Sequence, residues 1–340
     1  MEDFLTGKKH IHFIGIGGSG MYPLAQILHS QGYYLTGSDN NETATLDAVR
    51  KMGIPVHLGH SPANIEGADL IVHTAAIMAD NPELIAAKQS GVLTVERSEL
   101  LGLVTSWYSK AFCVSGTHGK TTTTSMSTCI ALAGGLDPTV MIGGTLPMLH
   151  SGYRVGKGDT IILESCEYCN SFLNFFPTVA VILNVEADHL DFFRDLTDVE
   201  HSFHAFADLV PQRGFVIANA DDSGAMAAVK GLAHPVFTFS VRDDGADCRA
   251  ENVAFHDGCG EFDVMIHGKF YAHVALAVAG KHNISNALAA AAAAYVLGIG
   301  GKAVEEGLHS FHGAGRRFEF KGTYHGADVF DDYAHHPGEL

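Results

Sequence analysis

Phe112-Cys113-Val114-Ser115-Gly116-Thr117-His118-Gly119-Lys120-Thr121-Thr122 decides how this chain is read. A short apolar run ends in a glycine-bearing turn, and the turn opens a helix predicted to reach about Ala133. Strand, glycine turn and helix in that order make a phosphate loop. Backbone N–H groups of Gly116, Thr117, His118 and Gly119 would wrap a β-phosphate, and Lys120 would neutralise β/γ charge. The hydroxyl of Thr121, followed by Thr122, would face Mg²⁺. The stretch departs from the strict G-x-x-x-x-G-K-[ST] spacing, because Val114 stands where the first glycine belongs. A chance Lys-Thr after a glycine turn is the bland alternative, and ATP is the better fit to the context.

Downstream, apolar runs at 160–163, 179–183, 215–218 and 236–239 read as strands, and 284–296 and 303–308 as helices. Glu164 ends the first of these strands, and Glu186-Ala187-Asp188-His189 follows the second. Strand ends of a parallel sheet open on one crevice, so Glu164 and His189 are expected beside the phosphate loop as metal ligands. Cys166-Glu167-Tyr168-Cys169 is a C-x-x-C, a pattern used by redox pairs and zinc half-sites. No second C-x-x-C exists, so the two thiols are expected to pack beside the crevice.

Upstream, strand and helix signals alternate through the first hundred residues, which implies a parallel sheet with helices on its faces. Gly15-Ile16-Gly17-Gly18-Ser19-Gly20 lies between a strand at 11–16 and a helix at 21–29, and Asp39 lies near the end of the next strand, read at 33–36. Glycines let a diphosphate approach the backbone and the helix N-terminus. The motif reports a diphosphate and does not choose between a dinucleotide and a sugar nucleotide. A side chain at Gly17, as in Gly17→Val, is expected to press on that diphosphate.

The 340 residues are 46% hydrophobic and 17% charged, enough apolar material for large cores. A formal charge of -17 removes the basic face that nucleic-acid or anionic-membrane binding needs. The polar first ten residues lack a signal-peptide core, and the most apolar run, 287–297, is too short to span a bilayer. A cytoplasmic protein with six reduced cysteines is expected, with no nucleic-acid partner and no membrane insertion, as monomer or homodimer. Boundaries fall at 1–108, 109–313 and 314–340, the last opening a third domain that about 25 residues cannot complete.

Six blocks carry a resemblance. They are Gly15 through Met21, Gly116 through Thr122, Asn184-Val185-Glu186-Ala187-Asp188-His189, His282-Asn283-Ile284-Ser285-Asn286-Ala287, Arg316-Arg317-Phe318-Glu319, and Asp331-Asp332-Tyr333-Ala334-His335-His336-Pro337. In this order they resemble the Mur ligases, ATP-dependent amide-forming enzymes of peptidoglycan precursor synthesis. The resemblance implies a Rossmann-like UDP-substrate domain, a central P-loop-type α/β ATPase domain and the start of a third, Rossmann-like domain. It implies that Gly15, Gly17, Gly18, Ser19, Gly20 and Met21 cradle the UDP diphosphate, with Asp39, His73 and Thr74 nearby. Lys120 and Thr121 would serve ATP and Mg²⁺, Glu164 one ion and His189 a second. Asn286, Arg317 and Asp332 would contact nucleotide, Arg317 helping to neutralise charge in the reaction.

Several Mur ligases carry a carbamylated lysine after the histidine block, and this chain has no lysine between Lys157 and Lys230. The branch that joins L-alanine to UDP-N-acetylmuramate is similar in lacking it. Competing readings are a ligase that attaches an intact peptide to the same acceptor, an NAD-dependent oxidoreductase suggested by Gly15 to Gly20, and a non-catalytic nucleotide-binding fragment.

Overall fold

A computed structural model describes residues 3–334. The chain divides into two compact units, Met1–Trp107 and Tyr108–Leu340.

The first unit contains β1 (His10–Ile14), α1 (Met21–Ser30), β2 (Tyr34–Asp39), α2 (Ala44–Lys51), β3 (Val56–Leu58), β4 (Leu70–His73), α3 (Pro82–Ser90), β5 (Leu93–Glu96) and α4 (Arg97–Thr105). Its sheet runs β3-β2-β1-β4-β5 with every pair parallel. The order reverses beside β1, so the glycine turn after that strand lies at the topological switch point. Helix starts are capped as the sequence allows: Thr43 accepts from Leu46 N–H, and Asn81 from Glu83 and Leu84 N–H. At the start of α1 stands Gly20, which supplies no capping side chain.

The second unit runs β6 (Lys110–Ser115), α5 (Lys120–Ala133), β7 (Thr139–Leu146), β8 (Ser151–Arg154), β9 (Thr160–Glu164), β10 (Val179–Ile182), α6 (Leu196–Asp208), β11 (Phe215–Asn219), α7 (Ser223–Val229) and β12 (Val236–Ser240). It continues through β13 (Cys248–His256), β14 (Cys259–Ile266), β15 (Lys269–Ala279), α8 (His282–Val296), α9 (Gly301–His309), β16 (Glu319–Tyr324) and β17 (Ala327–Asp331). Ten strands form one sheet in the order β15-β14-β13-β12-β11-β10-β6-β9-β7-β8, and β16 and β17 form a separate hairpin.

Helix α5 opens with a run of threonines, poor helix formers whose buried hydroxyls need partners. Thr124, Ser125 and Thr128 each donate to the carbonyl four residues back at 2.8 Å, which makes the run tolerable inside the protein. Ala287 to Ala294 of α8 are buried almost completely in the core with Phe112, Ile130, Phe239 and Phe262. Small side chains allow this close packing. At Gly307 of α9 a Cβ would stand 2.5 Å from Ile130 Cα of α5.

The β7–β8 hairpin, the edge strand β3 and the antiparallel extension β13 to β15 were absent from the sequence-based expectation. The extension carries its signal in its turns. Asp257-Gly258 and His267-Gly268 all have positive φ (50°, 81°, 48° and 73°), the geometry of tight two-residue hairpins. Among the described residues no helix is long and apolar enough to cross a membrane.

Candidate active site

Strand β6 lies between β10 and β9, so the turn after β6 is flanked by the residues that follow both neighbours. Gly116 takes φ 143° and would place a Cβ 2.9 Å from Leu183 Cβ, so only glycine fits this close passage. Asn184, just past β10, holds the turn: its Oδ1 accepts from His118 N–H at 2.7 Å and its Nδ2 donates to His118 O at 3.1 Å. Gly119 has φ 83° and α5 begins without a capping side chain, leaving its N-terminal dipole for an anion.

Lys120 Nζ donates to Gly116 O, to Thr117 O at 3.1 Å and to Glu167, whose oxygens lie at 3.2 and 3.1 Å. Burial pulls this ammonium down, but the negative groups around it, Glu167 first, outweigh burial and hold it above its ordinary value. Thr121 Oγ1 donates to Glu164 Oε1 at 3.1 Å and accepts from the Arg317 guanidinium at 3.3 Å. Glu164 Oε2 accepts from Gly143 N–H at 2.8 Å. His189, at φ 52°, puts Nε2 3.8 Å from Glu167 Oε1 and 3.8 Å from Asp188 Oδ2. Its ring packs on Tyr168 with centroids 4.7 Å apart, and the Tyr168 hydroxyl donates to Asp191 at 2.8 Å.

Lys120, Thr121, Glu164, His189 and Arg317 therefore stand around one turn. Asn286 joins them from α8, buried, accepting from Thr123 Oγ1 at 3.3 Å. Asp332 is spent on its own hairpin, its oxygens accepting from Phe318 N–H at 2.6 Å and Ala334 N–H at 2.7 Å. It fixes the segment that carries Arg316 and Arg317, which both lie against the Tyr333 ring at 4.5 and 5.6 Å. His335, His336 and Pro337 lie outside the described residues.

Cys166 and Cys169, expected to pack beside the crevice, are both exposed and unbridged, and Cys166 lies close enough to feel the charges of Glu167 and Lys120. Cys169 and Asn170 sit at φ 53° and 56°, and this left-handed step turns the segment outward while Glu167 between the cysteines points inward, 2% exposed. Sequence reasoning set that carboxylate aside with the cysteines. A lone acidic residue inside the C-x-x-C, three positions past the strand-end Glu164, was the available signal.

In the first unit Gly15 has φ 84° and lies close to Thr74, whose Cγ2 would be 2.8 Å from an added Cβ. His73 Nδ1 donates to Thr74 O at 3.1 Å. Asp39 Oδ2 accepts from Gly17 N–H at 3.0 Å, so the acid braces the turn. A Cβ at Gly17 would meet Asp39 and Leu46 Cδ1 at 2.9 and 3.3 Å. Gly17→Val would therefore disturb the brace under the loop, in place of the direct pressure on a ligand that the sequence suggested. Gly18 and Ser19 are exposed, and Met21 is buried as the first residue of α1. Arg97, which motif reading missed, lays its side chain over Gly20, within 3.1–3.3 Å of where a Cβ would be. It brings a cation to a turn suited to a diphosphate.

The second unit thus holds a phosphate-loop turn flanked by carboxylates and an imidazole, and the first unit holds a glycine turn of its own, the two features expected of an ATP-using ligase. Residues 10–108 match the Mur ligase family, catalytic domain, and residues 114–294 the Mur ligase middle domain. The chain belongs to the Mur ligase family. Among its relatives is the UDP-N-acetylmuramate–L-alanine ligase of Caldanaerobacter subterraneus subsp. tengcongensis, 44% identical over 341 residues, which span 100% of this chain and 74% of the relative. Of solved structures, the UDP-N-acetylmuramate-alanine ligase of Thermotoga maritima aligns with TM-score 0.81 at 32% identity, covering 98% of this chain and 75% of that one. A murein peptide ligase of Psychrobacter arcticus aligns with TM-score 0.82 at 28% identity, covering 97% and 74%.

Proposed function

We propose that this protein joins L-alanine to the lactyl carboxylate of UDP-N-acetylmuramate with ATP, a step of peptidoglycan precursor synthesis in the cytoplasm. The observation that carries the reading is the convergence of Lys120, Thr121, Glu164 and Arg317 on one phosphate turn, in a chain whose relatives bear that name.

In this reading the substrate carboxylate attacks the ATP γ-phosphorus, ADP leaves, and an acyl phosphate forms. The alanine amine then attacks the acyl carbon and phosphate departs. Two anions must meet in the first step, so the residues act mainly by neutralising charge and holding geometry. Residues Gly116 to Thr122 cradle the triphosphate, Lys120 takes its β/γ charge, and Arg317 reaches the transferred phosphoryl group beside Thr121. Asn286 supports the turn, and Asp332 holds the arginine segment. Gly15 to Met21, with Asp39, His73, Thr74 and Arg97, form the UDP subsite.

The donor set fits divalent magnesium: the Thr121 hydroxyl with Glu164 in one place, and His189 among carboxylates in another. Bound there, two Mg²⁺ ions would supply charge neutralisation to the triphosphate. The chain's own part is to hold Thr121, Glu164 and His189 in place.

The test is phosphate release from ATP and Mg²⁺ with UDP-N-acetylmuramate, then with L-alanine or an L-alanyl peptide added. It would be run on this chain and on one continued through a third domain, with products weighed by mass spectrometry. The alanyl product is expected. A product formed only with the peptide would move the assignment to the peptide-adding ligases, and no release from either chain would refute ATP use.

A further inference from the structure

Lys120 has three N–H donors, and all three are occupied by Gly116 O, Thr117 O and Glu167. On the function proposed above, this lysine must turn toward a triphosphate. The two carbonyls belong to the turn that wraps the phosphate, so the bond to Glu167 is the one to be exchanged. Glu167 is 2% exposed, and a carboxylate left there without its cation would carry a heavy penalty. An approaching triphosphate only adds negative charge.

The relief lies at the same carboxylate, whose Oε1 receives Lys120 at 3.2 Å and stands 3.8 Å from His189 Nε2. Glu167, Asp188 and His189 offer one ligand atom each, all within 4.8 Å of one another, and His189 Nε2 is 3.8 Å from both carboxylates. Two carboxylates and an imidazole suit Mg²⁺ or Mn²⁺. The lysine ammonium, itself a cation seated on Glu167, shows that this position holds positive charge.

We propose that Lys120 and a divalent cation exchange on Glu167. In the nucleotide-free protein the ammonium neutralises Glu167 and weakens the cation site. When Lys120 turns to the triphosphate, Glu167 is released to join Asp188 and His189 as a ligand. Metal loading at His189 is thereby coupled to nucleotide binding through one side chain, and Glu167 and Asp188 become ligands beside those the sequence suggested.

Binding of Mn²⁺ to the whole chain, read from the electron paramagnetic resonance signal of free Mn²⁺, tests this without turnover. Without nucleotide, Lys120→Met should bind Mn²⁺ about tenfold or more tighter than the parent protein, since the competing cation is gone. The double variant Lys120→Met, Glu167→Gln should lose that gain. Equal affinity in Lys120→Met, or a gain that survives the second substitution, overturns the exchange. With a non-hydrolysable ATP analogue, Glu167→Gln should hold one Mn²⁺ fewer than the parent, and equal stoichiometry overturns it again. This arm decides the matter if Lys120→Met does not fold. Failure of the analogue to bind at all would refute ATP use, while the nucleotide-free arm still judges the exchange.

Discussion

The carboxamide oxygen of Asn286 lies 2.6 Å from where a Cβ on Gly119 would stand, so a residue of α8 closes over the last turn position before α5. Asn286 is itself held by Asn283, whose Oδ1 accepts from it at 3.1 Å and whose Nδ2 donates to Ala279 O at 2.7 Å. Residues more than 160 positions apart thus set the shape of the phosphate turn. Gly119→Ala meets both this oxygen and the strain of φ 83°, and is expected to destabilise by about 1–3 kcal/mol. Thermal unfolding and ATP-analogue titration should both register the change; a Tm and affinity equal to the parent's would contradict the closure.

Lys120→Ala should abolish ATP-dependent phosphate release while leaving UDP-substrate affinity largely intact, because the proposed UDP subsite belongs to the first unit. The variant also strands Glu167, at an expected cost of about 3–5 kcal/mol in unfolding free energy. Adding Glu167→Gln should recover much of the stability and none of the activity. Recovered turnover would show that the lysine does not serve the phosphate.

Arg97→Ala should weaken UDP-N-acetylmuramate binding about tenfold or more, the worth of a charge-assisted hydrogen bond to phosphate. Calorimetric titration with the UDP substrate and with uridine alone separates the effects: uridine affinity should not move. An equal loss for both ligands would place Arg97 outside the diphosphate subsite.

Buried Glu83 receives His12 Nε2 at 2.6 Å and His60 Nδ1 at 2.9 Å. Burial pushes this carboxyl up, but the bonds from His12, Ser38 and His60 outweigh it and hold it below the usual range. The stabilisation is complete above the unfolded value of about 4.3 and is lost as pH falls through the lower folded value. Glu83→Gln should cost about 2 kcal/mol at pH 7. The gap to the parent should close in acid, and a gap constant from pH 7 to pH 3 would rule the network out as its cause.

Thiol labelling of the native chain should separate the cysteines by position. Cys169 is exposed and should react first, followed by Cys166, exposed as well but with a thiol raised by burial and by the charge of Glu167. Burial pushes Cys113 up to about 12 and Cys129 up to about 11, and raises Cys248 as well, so these three should resist until the protein unfolds. Early mass additions on Cys113 would show that β6 is open to solvent.

Local signals were sufficient wherever a residue's role depends on its chain neighbours. The glycine turns at Gly15 and Gly116 needed only the strand before and the helix after. Helix α8 was legible from its alanine run, and β9 and β10 from their apolar runs. Of the three antiparallel strands from Cys248 to Ala279, β14 and β15 do alternate buried and less buried residues, a period-two signal that was there to be read, whereas β13 has a single buried residue and carries no such alternation. Cys166 and Cys169 misled because their spacing drew notice from Glu167, the residue of that stretch that faces the phosphate turn.

Side-chain pairing was beyond such reading. Glu164 and His189 were legible as strand-end groups, but Lys120 facing Glu167, Arg97 lying over Gly20, Asn286 closing on Gly119 and Asp332 bonding to its own hairpin follow from packing. Turn and helix chemistry is written over a few adjacent residues, where backbone sterics and hydrogen-bond reach act. Which charge faces which across the site depends on strand order and helix placement, set by burying Phe112, Ile130 and the α8 alanines in one core. The amino-acid order names the chemical groups of this ligase, and the folded core assigns each its partner.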